Sequence, residues 1–360
     1  SMILLETGLL GTVLFAVAAT LVALLAPRPT YRVASSVLTA ALGCTGLATG
    51  GAALAGQTTT IELPGLLPLS GLYFHVDPLG GLFLAATGLV TTAAAIYAIG
   101  YGSSRGATHA VEAGRTVTAV LPLFVLTMLL IPLAASVSTL LVMWELMAVT
   151  STVLVRAEHR ERPEVRQAGL WYAIMTHLGF VLILLGTVLF AAQAGTETFD
   201  GMRAAATTLS PAAASAVFLL VLGGFGSKAG MVPLHAWLPR AHAEAPSHLS
   251  ALMSAAMVNL GLYGILRVGW DLLGGGPRWW AVVVLALGSI SAVYGALQAV
   301  VATDLKRLLA YSTTENMGMV MIGIGAAGYF AASDSPVLAG LALAAALLHI
   351  VNHSTFKGLL

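Results

Sequence analysis

Cysteine and lysine are nearly missing from this chain: its 360 residues hold one cysteine, Cys44, and three lysines, Lys228, Lys306 and Lys357, against thirteen arginines. A single cysteine excludes a disulfide framework and the thiolate set of an iron–sulfur cluster. Charge is scarce as well, at 9% of residues with a net of +1, which excludes a nucleic-acid-binding surface. No flavin or nicotinamide motif is found, so the expectation is a chain with no cofactor and no redox centre of its own. What fills the sequence is apolar: 58% of residues are hydrophobic and mean hydropathy is +0.92. No water-soluble domain of this size has that balance, so the chain reads as an all-α polytopic protein of the lipid bilayer.

Apolar windows of about 20 residues, the length that crosses a bilayer, occur about eleven times, over 3–26, 31–55, 78–100, 116–131, 135–155, 167–192, 212–238, 247–268, 279–302, 305–330 and 336–360. The first is too long for a signal-peptide core and has no basic flank, so it reads as a retained helix. The one long non-helical connection, 57–76, contains Thr-Thr-Thr-Ile-Glu and suits a small extramembrane β element. If connections alternate sides, one side receives Arg28, Arg32, Arg105, Arg115, Arg156, Arg160, Arg162, Arg166 and Arg240. The other receives only Arg203, Arg267 and Arg278. The positive-inside rule then puts the N-terminus outside and the arginine-rich loops in the cytoplasm, as in a multi-pass protein of the cytoplasmic membrane.

Arginine serves as ordinary surface charge here, in stretches such as Arg156-Ala-Glu-His-Arg160-Glu-Arg162, whereas each lysine lies in or against an apolar run. The distinction matters because a desolvated lysine can give up its proton and an arginine cannot. Lys228 falls mid-window in Gly223-Gly-Phe-Gly226-Ser-Lys228-Ala-Gly230-Met-Val-Pro233. Glycines followed by a proline, which clashes with the preceding turn, predict a broken helix there. Glu145 falls at the middle of its own window, in Trp144-Glu145-Leu-Met. A charge within a span costs about 2.5–3.5 kcal/mol on insertion scales. The two together suit a buried carboxylate–ammonium pair, either a titrating couple or a static ion pair locking two helices.

His349, His353 and Lys357 recur every four residues, with Asn352 alongside. That spacing lays one polar stripe along an otherwise apolar helix. It suits a proton relay, since imidazole both donates and accepts near neutrality; a helix-packing hydrogen-bond seam and a metal site on the two histidines are the alternatives. His177, in Thr176-His177-Leu-Gly, suits a structural group as well as a relay member. His248 opens its window and is expected at the membrane face, while His235 and His242 fall around the interface and match no zinc spacing, so no metal is expected. Trp237, Trp279 and Trp280 read as interfacial anchors. Glu315 has no local partner, because Lys306 falls on the opposite face of its helix. Lys306 itself, between Asp304 and Arg307, reads either as a snorkelling boundary anchor or as a proton carrier.

Several stretches together resemble the antiporter-like family of complex I membrane subunits, Mrp cation/proton antiporters and membrane-bound hydrogenases. They are Trp144-Glu145-Leu-Met; Lys228-Ala-Gly-Met-Val-Pro-Leu-His-Ala-Trp-Leu-Pro-Arg-Ala-His; Ala-Pro-Ser-His248-Leu-Ser-Ala-Leu-Met; Asp304-Leu-Lys-Arg-Leu-Leu-Ala-Tyr-Ser-Thr; and His349-Ile-Val-Asn-His-Ser-Thr-Phe-Lys357. Within that family, Met175-Thr-His177-Leu-Gly and Thr314-Glu315-Asn-Met-Gly are most similar to the large membrane subunit (component B type) of hydrogenase-4 and formate hydrogenlyase. The resemblance implies inverted five-helix repeats, each with a broken helix, and a polar axis along the bilayer midplane. It divides the chain into N-terminal helices with the small extramembrane element (1–115), a first repeat (116–270) and a partial second repeat (271–360) that ends before the family's second broken helix. Glu145 matches the family's key glutamate and Lys228 its broken-helix lysine, with His349, His353 and Lys357 as the next stretch of the axis. One departure stands out: Asn259 occupies a place where many relatives carry lysine, so the link from Lys228 toward the histidine stripe needs water, His248 or another polar group.

The resemblance implies a proton-translocating subunit driven by a separate redox module. Its partners would be other antiporter-like and small membrane subunits and a peripheral hydrogenase or dehydrogenase arm. Three other readings stay open at this level: a Na⁺/H⁺ antiporter module of Mrp type, a membrane scaffold that has lost pumping, and an intramembrane metalloenzyme using His349 and His353.

Overall fold

A computed structural model describes residues 2–27, 30–67, 70–101, 114–156 and 163–360; of the loop arginines used for orientation, Arg28, Arg105, Arg160 and Arg162 lie outside them. The chain opens with α1 (Met2–Leu25) and α2 (Tyr31–Leu54), then a hairpin of β1 (Thr59–Leu63) and β2 (Leu72–Val76). There follow α3 (Pro78–Tyr101), α4 (Arg115–Leu130), α5 (Val137–Arg156), α6 (Pro163–Ala194) and the short α7 (Phe199–Ala205). Next come α8 (Pro211–Ala229), α9 (Trp237–Glu244), α10 (Ser247–Leu252) and α11 (Val258–Gly264). The last three are α12 (Arg278–Val301), α13 (Leu305–Ala331) and α14 (Pro336–Leu359). Wider π-helical turns, Met253–Met257 and Ile265–Leu272, join α10 and α11 into one continuous span. Ten of the described helices are long and apolar enough to cross a membrane. The eleventh expected span, α13, is a full 27-residue helix. It is more polar than the others because Lys306, Arg307, Ser312, Thr313, Thr314, Glu315 and Asn316 all lie on it.

The span Ser247–Leu272 is the centre of the molecule, with 94% of its most apolar stretch buried. It packs on α3, α8 and α14. Close approach to α8 depends on Gly261: a Cβ there would lie 2.6 Å from the backbone nitrogen of Ala229. At the periphery α1, α6, α12 and α14 each turn an apolar face outward, in keeping with lipid contact.

The expected break follows α8. Ser210 caps the helix by accepting from the Ala213 amide, Pro211 occupies the first turn, and Gly230 ends it in the left-handed region at φ +78°. The seven residues 230–236 separate α8 from α9, and neighbouring groups bind part of this irregular stretch. The Val232 amide donates to Ser291 Oγ of α12 at 3.0 Å. Trp237 Nε1 donates to the Ser227 carbonyl at 2.8 Å. Non-helical backbone survives at membrane depth only when other protein groups bind it.

On the opposite face, β1 and β2 pair antiparallel with Ile61 opposite Phe74. Leu72, Phe74 and Val76 point inward at alternate positions. Ala135 donates its amide to the Tyr73 carbonyl, joining the hairpin to the start of α5. Glu197 completes that joint: it accepts from the Ser138 amide at 3.0 Å and from the hydroxyls of Ser70 and Ser138.

The tryptophans correct an expectation. Trp237 and Trp280 are not interfacial anchors but core residues; Trp280 stacks on Phe218 with ring centroids 4.3 Å apart, and only Trp279 is exposed. Their windows end beside large aromatic neighbours, which provide more contact than a headgroup layer would.

Candidate functional site

Lys228 sits on the last turn of α8, 3% exposed. Its Nζ donates to Thr176 Oγ1 of α6 at 2.5 Å. It also lies over the rings of Tyr172, at 5.3 Å, and Trp237, at 5.8 Å. Both rings are held in place: the Tyr172 hydroxyl donates to Ser151 Oγ of α5 at 2.7 Å, and the Trp237 indole is bound to Ser227. The expected direct pairing of Lys228 with Glu145 is not observed; α6 supplies a partner to each. Instead Glu145 Oε1 lies 3.2 Å from His177 Nε2, and the two side chains are 34% and 45% exposed.

The His177 ring defines how many protons this second contact holds. Its Nδ1 is 2.7 Å from the Ala173 carbonyl, which only accepts, so Nδ1 carries a hydrogen. A bond between Nε2 and Glu145 Oε1 then needs one further proton, resident on the imidazole or on the carboxyl. Thr176 and His177 are neighbours in sequence, so one turn of α6 supplies the partners of both the buried amine and the acid.

The histidine stripe of α14 faces α13. His349 Nε2 is 2.9 Å from Asn316 Oδ1. Lys357 Nζ donates to the Leu309 carbonyl at 2.8 Å and to the Ser312 hydroxyl. His353 is fully buried beside the Phe356 ring, and neither ring nitrogen has a hydrogen-bonding partner among the described residues. Asn259 on α11 donates to Ser354 Oγ at 2.8 Å, which ties the central span to α14 one residue from His353. Glu315 is half-buried and makes no hydrogen bond or ion pair among the described residues.

Two positions differ from expectation. Lys306 does not snorkel: its Nζ turns inward and donates at 2.6 Å to the Ala245 carbonyl just beyond the end of α9, an oxygen that also accepts from Ser250 Oγ at 3.2 Å. His248 is 7% exposed and lies within the packed core rather than at the membrane face. His235 rests against the Tyr294 ring and His242 is buried. No group of three or more His, Cys, Asp or Glu among the described residues is placed to hold a metal ion.

A second polar cluster lies on the hairpin side, and sequence reasoning did not find it. Arg267, read from sequence as a loop charge, is 5% exposed inside the central span. Its guanidinium bonds Asp77 at 2.7 and 2.8 Å and Asp271 at 2.7 Å. Arg203 of α7 extends the cluster to Asp271 and Asp200. An adjoining cleft of about 280 Å³ opens among Glu62, Tyr73, His75, Asp200 and Arg203. Burial pushes the Asp77 carboxyl upward, but the bonds and charge of Arg267 and the Gly80 amide outweigh it, so the group stays below the ordinary aspartate value. Glu197 is likewise pushed up by burial and brought below the ordinary glutamate value by the hydroxyls of Ser138 and Ser70. An Arg and an Asp four apart in an apolar run were the available signal for this cluster; the third member, Asp77, is 190 residues away.

Comparison with known proteins agrees with this architecture. An uncharacterized protein of Mycobacterium tuberculosis is 53% identical over 326 residues, covering 91% of this chain and 49% of its own length. Hydrogenase-4 component B of Escherichia coli K12 is 38% identical over 308 residues, covering 85% of this chain and 45% of its own. The chain thus spans about half the length of the curated relatives it matches. Among solved structures, the Mrp complex from Dietzia sp. DQ12-45-1b superposes with a TM-score of 0.81 at 28% identity, over 98% of this chain and 36% of that one. Residues 134–359, which include Glu145, Lys228 and the histidine stripe, match the family described as NADH:quinone oxidoreductase/Mrp antiporter, transmembrane. The protein is therefore a polytopic antiporter-like membrane subunit and a member of that family.

Proposed function

We propose that this chain is a proton-translocating subunit of a redox-driven complex of the hydrogenase-4, formate hydrogenlyase or complex I-like kind. Protons move along a buried axis from the Glu145–His177 couple, past Lys228, toward His349, His353 and Lys357. His248, Glu315 and Lys306 flank that axis. The observation that carries the reading is the state of the lysines. All three nitrogens turn inward, and among the described residues their hydrogen bonds go to hydroxyl or carbonyl oxygens and to no carboxylate. A neutral acceptor tolerates loss of the proton better than a fixed ion pair does, so these amines suit a change of charge.

The half-exposed Glu145–His177 couple supports partnership with further membrane segments. A charged group facing hydrocarbon is costly, so other helices, from this protein or a neighbouring subunit, cover it in the assembled complex. The energy source is a peripheral hydrogenase or dehydrogenase arm. The N-terminus lies outside, since Arg32, Arg115, Arg156, Arg166 and Arg240 fall on the side away from the hairpin.

The test is reconstitution of the complex that co-purifies with this chain. The expected result is a nickel–iron or dehydrogenase subunit among the co-purifying chains, and proton uptake that is lost in Lys228→Ala. Intact uptake in that variant would leave the chain a scaffold. A second reading, a Na⁺/H⁺ antiporter module, is favoured by the fit to the Mrp complex. A sodium-dependent pH gradient in proteoliposomes without any electron donor would select it.

A further inference from the structure

We propose that Thr176 is the residue that sets the charge of Lys228, by holding the amine in both of its protonation states. This inference rests on the proton role assigned to Lys228 above. Among the described residues, the Thr176 hydroxyl is the only hydrogen-bonding partner of Lys228 Nζ. The crevice around it, lined by Trp144, Met175, Thr176, Gly179, Ser227 and Trp237, has no room for a water molecule to add another. A hydroxyl is suited to this place because it is amphoteric: it accepts from an ammonium and, after rotation, donates to the lone pair of a free amine. A carboxylate would bind only the cation. The rings of Tyr172 and Trp237 add attraction for the cation without a competing proton site.

The titratable and charged groups on the surrounding elements include Glu145 and Arg156 on α5, Arg166, Tyr172 and His177 on α6, Arg240, His242 and Glu244 on α9, His248 on α10, Tyr263 on α11, and Arg267 and Asp271 on the turn that follows it. None makes a hydrogen bond or ion pair with Lys228 among the described residues; Tyr172 meets it through the ring face alone. Glu145, the nearest acid by family expectation, is engaged by His177. The hydroxyl is thus the one group bonded to the amine among the described residues, and its loss acts on the amine directly.

The test uses the complex purified with this chain, reconstituted in vesicles, with proton uptake driven by an imposed potassium diffusion potential. Thr176→Val keeps the shape and removes the acceptor of the ammonium, so the charged form loses weight. The alkaline limb of the uptake profile should move to lower pH by about one unit, the size of one hydrogen bond to a charged group. Thr176→Ser restores the hydroxyl and should restore the profile. If the valine complex does not assemble, Thr176→Ala, which only removes atoms, has the same expected shift. An unshifted profile in the valine or alanine variant overturns the inference, as does a serine variant that shifts as far as valine. Lys228→Ala separates the two levels: uptake that survives it removes the proton role of Lys228, whereas uptake lost there with no shift at Thr176 removes only the role of Thr176.

Discussion

Arg267 is the most consequential single side chain outside the lysine axis. It is buried within the central span, and its two carboxylate partners keep only part of their contact with water. Removing one member of a buried ion cluster strands the others. Arg267→Ala is expected to destabilise the protein by about 3 kcal/mol, at the low end for buried pairs because Asp77 and Asp271 are partly exposed. Thermal unfolding in detergent, with Arg278→Ala at the exposed Tyr329 ring as control, measures it; equal midpoints for the two variants would show the cluster to be ornamental. At this scale the sequence identified positions better than partners. Three lysines in apolar runs and a stripe at four-residue spacing were legible from chemistry and period alone. The partner of Glu145 was not, since the choice between His177 and Lys228 depends on how α6 packs between α5 and α8. Burial of Trp237 was equally hidden, because an aromatic next to a helix break suits an interface as well as a core.

Among the elements, the interrupted helix was the most legible: glycines, a proline and a lysine in eleven residues specify a break wherever the helix sits. The hairpin was legible too, from β-branched residues in the one long polar connection. Nothing local announced how closely α8 and α11 approach. Gly261→Leu tests that contact, because the atoms a side chain would meet there are backbone atoms that cannot swing aside. Its unfolding midpoint should fall well below that of the parent, by the equivalent of 1–3 kcal/mol or more, as overpacking costs about that much. Gly51→Ala on α2, where a Cβ meets nothing within 4 Å, should be indistinguishable from the parent. Matching losses in the two variants would deny the close approach.

Two unlike polar zones stand out among the described residues, lysines bonded to hydroxyl and carbonyl oxygens and a hairpin face of tightly paired carboxylates. The second ties the stability of the fold to acid pH. Asp77 and Glu197 are held below their ordinary values when folded. Their contribution to stability is therefore complete above the unfolded carboxylate range, near pH 4, and is lost as pH falls through the lower folded values. The share of the unfolding midpoint that these two carboxylates carry should be constant from neutrality to about pH 5 and be lost below about pH 4. Glu197→Gln should shrink that drop; an unchanged acid limb in the variant would assign it to other groups. All eleven windows, 305–330 of α13 among them, were countable from the sequence; which neighbours hold the polar residues of α13 in the bundle was not.

One detail of the break has a mechanical consequence. The Ser227 carbonyl receives both the Gly230 amide, closing the last turn of α8, and the Trp237 indole, starting α9. Swinging α9 outward would strand a donor in oil, so the two half-helices are hinged but latched. Whatever displaces one must carry the other with it, and the amine beneath the indole travels in the same rigid unit.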